Sequence, residues 1–371
     1  MKKRLLIVGR IDSTYIQQLG KHLKEYLDVY LLDITNFKYL KFNDKNEILF
    51  EIKLKKSTFL LFLFFQLIKI AKKIFEFIKN EKKFDFVHYH YVKYEYLFLY
   101  KLINTLGKKV FVTVWGSDFF HNKFKYLFVN FYKNIDNISF TKNSLLNDFK
   151  NYFKIYINYN LVRMGLEQLE YIDNITNSDL NNFKELINYQ ENEIVILVGS
   201  SAQQLENQWV VLEFIKNKLD ILNNYNIHFI LPLSYGGKIN KKILELKQDL
   251  TKYFNCTIID NFLSYKELAC LRIISDIYIN NRNNDQFAAA MIEHFYAGSV
   301  VMHGSWLDYP LNEMGVHYYK YSNENEFIEK LSYILKNIEQ EKKLNIANKN
   351  IFNNLYKWDN IIHKWIELYK D

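Results

Sequence analysis

Residues 283–301 read NNDQFAAAMIEHFYAGSVV. Two carboxylates, Asp285 and Glu293, enclose seven residues that are mostly small or apolar, and the run closes on Ala297-Gly298 before an apolar segment, SVVMHG. If a helix begins near Phe287, Glu293 lies about two turns beyond Asp285. A glycine at its end supplies the left-handed residue with which helices commonly finish. A helix start leaves backbone N–H groups without intrahelical acceptors and carries the positive end of the peptide dipole, which suits an anionic group such as a diphosphate. The plainer reading of the same letters makes Asp285 an N-cap and Glu293 a solvated helix residue.

The surrounding chain favours the first reading. A helix followed by a short buried strand is the unit of a parallel sheet, and the same unit recurs on both sides. Upstream, IVILVGSS (194–201), IHFILPLSYGG (227–237) and the strand, helix, strand of 256–281 alternate with helical QWVVLEFIKNKLDIL and NKKILELKQDLTKYF. Near the start, RLLIVGR, DVYLLDI, FDFVHYH and KKVFVTVWGSD read as strands, with helices at 11–27, 56–80 and 95–107 between them. The expected fold is α/β, built as two doubly wound, Rossmann-like domains. The polar stretch 171–193 marks the boundary, giving an N-terminal domain over 1–180, a C-terminal domain over 190–350 and a terminal segment, 351–371, whose Trp358 and Trp365 share one helical face. Ligands of such sheets bind at the carboxyl ends of the strands, so two of them in tandem predict a cleft between facing domains.

Composition sets limits without choosing a function. A chain of 371 residues with 49% hydrophobic and 17% aromatic content has material for more than one packed core. A net charge of +8 suits nucleic acid, an anionic membrane or a phosphorylated small molecule alike. Nucleic-acid binding is set aside because no RNP, helix-turn-helix or zinc pattern accompanies the charge. Cys256 and Cys270 lack metal-ligand or CxxC spacing, read as buried thiols, and point to a reducing compartment, the cytoplasm by default. The apolar run after MKKR is too short for a signal peptide. The segment 59–78, FLLFLFFQLIKIAKKIFEFI, is interrupted by Lys69, Lys72 and Lys73. That pattern suits peripheral contact with an anionic membrane through residues 53–83, or packing on the sheet, better than a span.

The 285–301 stretch resembles the donor-site segment of GT-B glycosyltransferases of the family 4 type, in which an acid, seven residues and a glutamate precede a small-residue turn and a buried strand. VGSSAQQLENQW, FLSYKELACLRIISDIYI and the final Trp-containing helix extend that resemblance. WGSDFF, VGSSAQQLENQW and LPLSYGG are more similar to the lipid-linked 4-acetamido-4,6-dideoxygalactose (fucosamine-type) transferases. The resemblance implies a GT-B fold, metal-independent transfer from a nucleotide-diphosphate sugar with no cofactor, and a glycan or lipid-linked acceptor in surface polysaccharide or glycolipid synthesis at the cytoplasmic face of the inner membrane. The family 4 pattern implies retention of anomeric configuration and the fucosamine type inversion. A non-catalytic nucleotide-sugar-binding or scaffold subunit of the same fold is the alternative.

The resemblance also assigns residues. Asp285 would bind donor-sugar hydroxyls, Glu293 the ribose, and Gln286, Phe287 and Ala288 would line the helix start. Gly199, Ser200 and Ser201 form the glycine loop, where small residues let a phosphate approach the backbone. Family 4 enzymes normally follow this glycine with an arginine and a lysine; here Ser200 and Asn207 or Gln208 stand instead, and Arg282 and Lys238 are the candidates to compensate. Ser234 and Tyr235 end another strand at the same edge. In the first domain, Gly9 would let a loop approach a ligand, and Trp115, Gly116 and Asp118 open a loop where family 4 enzymes often carry a histidine at the Trp115 position. Asp118 is the candidate base for an acceptor hydroxyl, or else a helix cap. His88 and His90 are expected to turn to opposite faces of their strand, with His90 nearer the ligand edge. Arg163, in RMGLE, precedes the interdomain connection and is expected to line the cleft.

Overall fold

The computed structural model describes residues 2–34, 38–43, 46–51, 72, 76, 83–156, 158–285 and 287–370. The expected helix 56–80 and the proposed membrane segment 53–83 therefore lie almost wholly outside the described residues, as does Gln286. The chain is α/β and divides into two units, Met1–Gly165 with Trp358–Asp371, and Leu166–Lys357.

The first unit is built on a sheet of eight strands: β1 (Arg4–Val8), β2 (Asp28–Asp33), β3 (Lys38–Lys41), β4 (Glu47–Glu51), β5 (Phe84–His90), β6 (Gly107–Val114), β7 (Asn137–Phe140) and β8 (Tyr159–Leu161). Their order is β4-β3-β2-β1-β5-β6-β7-β8, parallel except for the antiparallel pairs β2–β3 and β3–β4. RLLIV forms the central strand because both faces have cover: Leu6 and Val8 join one apolar cluster, Leu5 and Ile7 another. Each such fully buried aliphatic side chain contributes about 1.5–3 kcal/mol of transfer free energy. The second cluster includes Trp358, Ile361, Ile362 and Trp365 of the terminal helix Trp358–Leu368. Its indoles are also hydrogen-bonded: Trp358 Nε1 donates to Gln18 Oε1 at 3.2 Å and Trp365 Nε1 to the Arg163 carbonyl at 3.0 Å.

The second unit carries six parallel strands: β9 (Ile194–Val198), β10 (Ile227–Pro232), β11 (Asn255–Ile259), β12 (Ile277–Asn280), β13 (Val300–Gly304) and β14 (Tyr319–Tyr321), in the order β11-β10-β9-β12-β13-β14. The reversal at β9 and β12 is the switch point at which such sheets open a ligand crevice.

The structure corrects several expectations. The division falls after Gly165, so residues 166–180 and 351–357 belong to the second unit. The stretch 171–193 is not a linker: helices Gln168–Asp173 and Asn177–Leu186 occupy much of it, the second held by a capping box between Thr176 and Asp179. The acid-bearing helix spans Ala289–Ala297 and starts two residues later than expected, because Phe287 adopts φ 69°, outside the right-handed helical region. The strands β3, β4, β7, β8 and β14 do not stand out in the sequence because they are short and, at the edges, half polar.

Candidate functional site

In the second unit the residues around the glycine loop form one hydrogen-bonded assembly. After β9, Gly199 takes φ 70°, an angle that favours glycine, and a Cβ on it would stand 2.7 Å from Gln208 Nε2. Gln208 is fixed there by donating that amide to the Val198 carbonyl at 3.0 Å. The loop turns two buried hydroxyls inward. Ser200 Oγ and Ser201 Oγ each donate to Glu206 Oε1 at 2.9 Å, and the Ser200 N–H donates to Glu206 Oε2 at 3.2 Å. Glu206 is fully buried, and Arg282 Nη1 lies 3.6 Å from its carboxylate. Burial of a charge requires this combination of donors and counter-ion. Arg282 also donates through Nη2 to Gln203 Oε1 at 2.9 Å, while its Nε is buried with no acceptor among the described residues. The backbone of Arg282 is held by Trp306, whose Nε1 donates to its carbonyl at 2.7 Å.

Arg282 thus stands beside the glycine loop with its charge shared by a buried acid. Lys238, the other expected cation, is exposed in the loop after β10. That loop is tied to the glycine loop through the Ala202 N–H, which donates to the Tyr235 carbonyl at 2.7 Å; the Tyr235 side chain is half exposed and Ser234 partly buried.

The acid-bearing segment has its own scaffold. Asp285 Oδ2 accepts the Ala288 N–H at 2.9 Å and the Tyr309 hydroxyl at 2.6 Å, and Asn280 Nδ2 donates to the same Tyr309 oxygen at 3.1 Å. Burial and the adjacent Asp285 charge hold the Tyr309 phenol well above its ordinary range, so it remains a donor. Phe287, in its left-handed conformation, packs against Tyr309, Phe352 and Tyr356. This places Ala288 at the N-cap and the first-turn amides of Ala289 and Ala290 beyond it. Asp285 therefore fastens the turn before the helix, one part of the plainer reading. Glu293 is not a solvated helix residue. It is buried, with Oε2 accepting from Arg272 Nε at 2.9 Å. Arg272 Nη1 lies 3.1 Å from His294 Nε2, and the His294 ring stacks on Tyr278 at 4.1 Å. Burial and the adjacent guanidinium hold His294 well below its usual range, hence neutral and able to accept.

In the first unit, the carboxyl ends of β5 and β6 carry a different set. His88 and His90 are two residues apart and so share a face, contrary to the expectation that they diverge; their rings lie 4.4 Å apart. His88 is satisfied by the Tyr369 hydroxyl at 2.6 Å and Thr113 Oγ1 at 2.8 Å. His90 is fully buried, neither ring nitrogen has a partner among the described residues, and burial lowers its pKa to about 3. Trp115 stacks on Tyr91 at 4.7 Å, and its buried Nε1 likewise has no acceptor among the described residues. Asp118 Oδ1 accepts the N–H groups of Trp115 at 2.9 Å and Gly116 at 3.0 Å, and Oδ2 that of Val92 at 3.3 Å. Burial raises the carboxyl to about 6 against the pull of these amides. Gly116 is the N-cap of the short helix Ser117–Phe120 that carries Asp118. Gly9 has a close neighbour within its own unit, since a Cβ there would stand 2.4 Å from Ile16 Cδ1. Arg163 sits just after β8 with its carbonyl taken by Trp365.

The residues that sequence reasoning missed are Glu206, Arg272, Asn280 and Tyr309. Arg272 had a readable signal, being a lone arginine on an otherwise apolar helix face next to Cys270 and Leu271. Both cysteines are free and buried, and burial pushes the Cys256 thiol up to about 12. Among the described residues, no group of three or more His, Cys, Asp or Glu side chains is placed to hold a metal ion. No helix among them is long and apolar enough to cross a membrane.

Comparison with known proteins follows the same division. Residues 4–146 match the family described as Glycosyl transferase 4-like. No curated protein matches the sequence. Among solved structures, a glycosyltransferase from Rickettsia africae superposes with a TM-score of 0.74 at 16% identity, covering 100% of this chain and 98% of that one. Sucrose-phosphate synthase from Thermosynechococcus elongatus gives 0.71 at 12% identity, covering 99% and 98%. Anabaena HepE, solved in complex with UDP and glucose, gives 0.65 at 12% identity, covering 99% of each chain. The chain has the GT-B glycosyltransferase fold throughout, and its first unit carries the Glycosyl transferase 4-like match.

Proposed function

We propose that this protein is a glycosyltransferase that moves a sugar from a nucleotide-diphosphate donor to a glycan or lipid-linked acceptor in bacterial surface polysaccharide or glycolipid synthesis. The observation that carries the reading is the polar assembly at the β9–β12 switch point, where small residues, Arg282 and a helix start gather at one sheet edge. HepE has been solved with UDP-glucose, which supports a nucleotide sugar as donor here. Arg282 and the amides of Ala289 and Ala290 would receive the diphosphate, Glu293 the ribose, and Asp285 the sugar hydroxyls. During transfer the bond from the anomeric carbon to the diphosphate oxygen breaks and one to the acceptor oxygen forms, so the enzyme must stabilise the departing diphosphate and position the hydroxyl. Asp118 is the proposed base, accepting the acceptor proton in an inverting reaction. Retention, the other outcome, is separated from it by the anomeric configuration of the product.

The proposed location is the cytoplasmic face of the inner membrane, with residues 53–83 as a peripheral contact, on the strength of their basic and aromatic composition. One observation favours the non-catalytic alternative: Glu206 shares the charge of Arg282. A thermal-shift screen with UDP, GDP, TDP and CMP sugars, followed by transfer assays with the stabilising donor, tests both. Stabilisation with turnover supports the transferase. Stabilisation without turnover on any acceptor supports the binding subunit, and no stabilisation by any donor overturns both.

A further inference from the structure

The segment that follows Asp118 has no part in the donor assembly, and it is unusual in what it leaves in water. Phe98 is 74% exposed, Phe124 52%, Tyr126 56% and Leu127 50%, and Phe120, Tyr152, Tyr156 and Tyr159 are also exposed. These are not scattered singly. Tyr94 meets Phe124 at 6.0 Å, Phe124 meets Tyr126 at 6.4 Å, and Lys125 lies 4.1 Å from the Phe119 ring and 4.5 Å from that of Tyr152. Lys150 lies 3.8 Å from the Tyr159 ring and lines a cavity of about 480 Å³ with Ile155, Tyr156 and Asn158. These contacts, with Lys125 next to Phe124 and Tyr126 in the sequence and Lys150 two residues before Tyr152, link Tyr94, Phe124, Tyr126, Tyr152 and Tyr159 into an aromatic band of the first unit. A monomer in water gains nothing from such a band, and contiguous apolar surface marks a contact.

Two stretches of the band carry charge of one sign. Residues 119–133 and 149–161 contain Lys123, Lys125, Lys133, Lys150 and Lys154 and no carboxylate; Asp118, Asp136 and Asp148 lie just outside. Lysine ammonium groups seated on aromatic rings, with Lys123, Lys133 and Lys154 nearby in the sequence, match the boundary between acyl chains and anionic headgroups. A second copy of this chain is a poor occupant, since a two-fold contact would set these lysines against themselves.

We propose that this band docks the first unit on an anionic lipid surface. The inference rests on the transferase reading for its purpose: the band begins at Phe120, two residues after the proposed base Asp118, so a lipid-borne acceptor would be delivered from the membrane to that end of β6. It is distinct from residues 53–83 and stands on described side chains.

The test is co-sedimentation of the full chain with vesicles of phosphatidylglycerol and phosphatidylcholine, against phosphatidylcholine alone. The comparison includes a Phe124→Ser/Tyr126→Ser variant and a Lys123→Glu/Lys154→Glu variant, with nucleotide-sugar thermal shifts measured on all three proteins. The wild type should bind the anionic vesicles, and each variant should bind them about tenfold or more weakly, one through lost electrostatic attraction and the other through lost apolar contact. The thermal shift should be unchanged. Equal binding by wild type and variants would overturn the proposal, placing any lipid contact elsewhere, as would a wild type that binds neither vesicle. Vesicle binding that follows the band while no nucleotide sugar stabilises any of the proteins would uphold the docking surface and count against the transferase reading alone.

Discussion

The two units share an architecture and differ in what they place at the carboxyl ends of their strands. The second gathers charge in buried or half-buried pairs: Glu206 lies 3.6 Å from Arg282, Glu293 accepts from Arg272 and Asp285 accepts from Tyr309. The first gathers rings: His88, His90, Tyr91 and Trp115, with one carboxylate, Asp118, held by three backbone amides. A charged, hydrogen-bonded edge suits a phosphorylated ligand. An aromatic edge with an acid whose pKa lies near 6 suits a sugar face and a hydroxyl to be deprotonated. The same sheet scaffold thus carries two chemically different sets of residues after its strands.

The largest effect that would sharpen this contrast is on rate. Asp118→Asn should slow transfer about 10²- to 10⁴-fold while leaving donor-induced stabilisation unchanged. In the wild type, activity should rise as pH passes about 6, where the carboxyl loses its proton. Because this pKa is raised on folding, the stability it confers is full below the ordinary value of 3.8 and lost as pH rises through about 6. A rate profile without that limb, or a variant with wild-type turnover, would remove Asp118 from the chemistry.

Next in size is the buried pair. Arg272→Leu leaves Glu293 uncompensated and should cost about 3–5 kcal/mol in denaturant unfolding, whereas Arg272→Met with Glu293→Leu should recover most of that loss. Glu293→Gln keeps a hydrogen-bonding side chain and separates support of the fold from contact with the nucleotide. The expected result is a folded protein with a weakened donor response.

Smaller, and opposite in sign within one pair, are the changes at the glycine loop. Arg282→Ala should weaken binding of a nucleotide-diphosphate sugar by about 1.5–3 kcal/mol, the worth of a hydrogen bond to a charged group. Glu206→Gln should strengthen it, because the guanidinium then keeps its full charge for the diphosphate. Titration calorimetry reads both, and equal losses in the two variants would mean that Glu206 acts only as scaffold. The smallest effect is His90→Phe. Near neutral pH it should change stability by less than about 1 kcal/mol, because the crowding from a larger ring is offset by removing two buried ring nitrogens that have no partner among the described residues. His90 has a pKa lowered from 6.5 to about 3, so the wild type loses stability as pH falls below 6.5 toward 3. The variant should lose less over that window, as read by thermal unfolding across pH.

The central strands were legible because RLLIV, FDFVHYH, IVILV and IHFIL are covered on both faces and so read as short runs rich in apolar and aromatic residues. Edge strands such as β3, KYLK, carry too little of that pattern to stand out. The polar letters of 171–193 suggest a boundary, yet Asn177–Leu186 is a helix with a single buried residue, Phe183, and a surface helix of that kind reads like a loop. In the candidate site, the acids at 285 and 293 and the glycine loop were visible through spacing. The left-handed Phe287 was not, because local propensity disfavours a bulky residue at positive φ, and the turn is maintained by the rings packed on it and by the hydrogen bonds of Asp285. Nor was Glu206: an acid in AQQLENQW gives no sign that two serine hydroxyls and a guanidinium will enclose it.

The account depends on the second unit holding the donor. Hydrogen–deuterium exchange of the full chain, with and without the nucleotide sugar that stabilises it most, tests this directly. Protection is expected to concentrate at residues 199–208 and 282–291, the glycine loop and the start of the acid-bearing helix. Protection confined to the first unit, or none in either stretch under saturating donor, would contradict it.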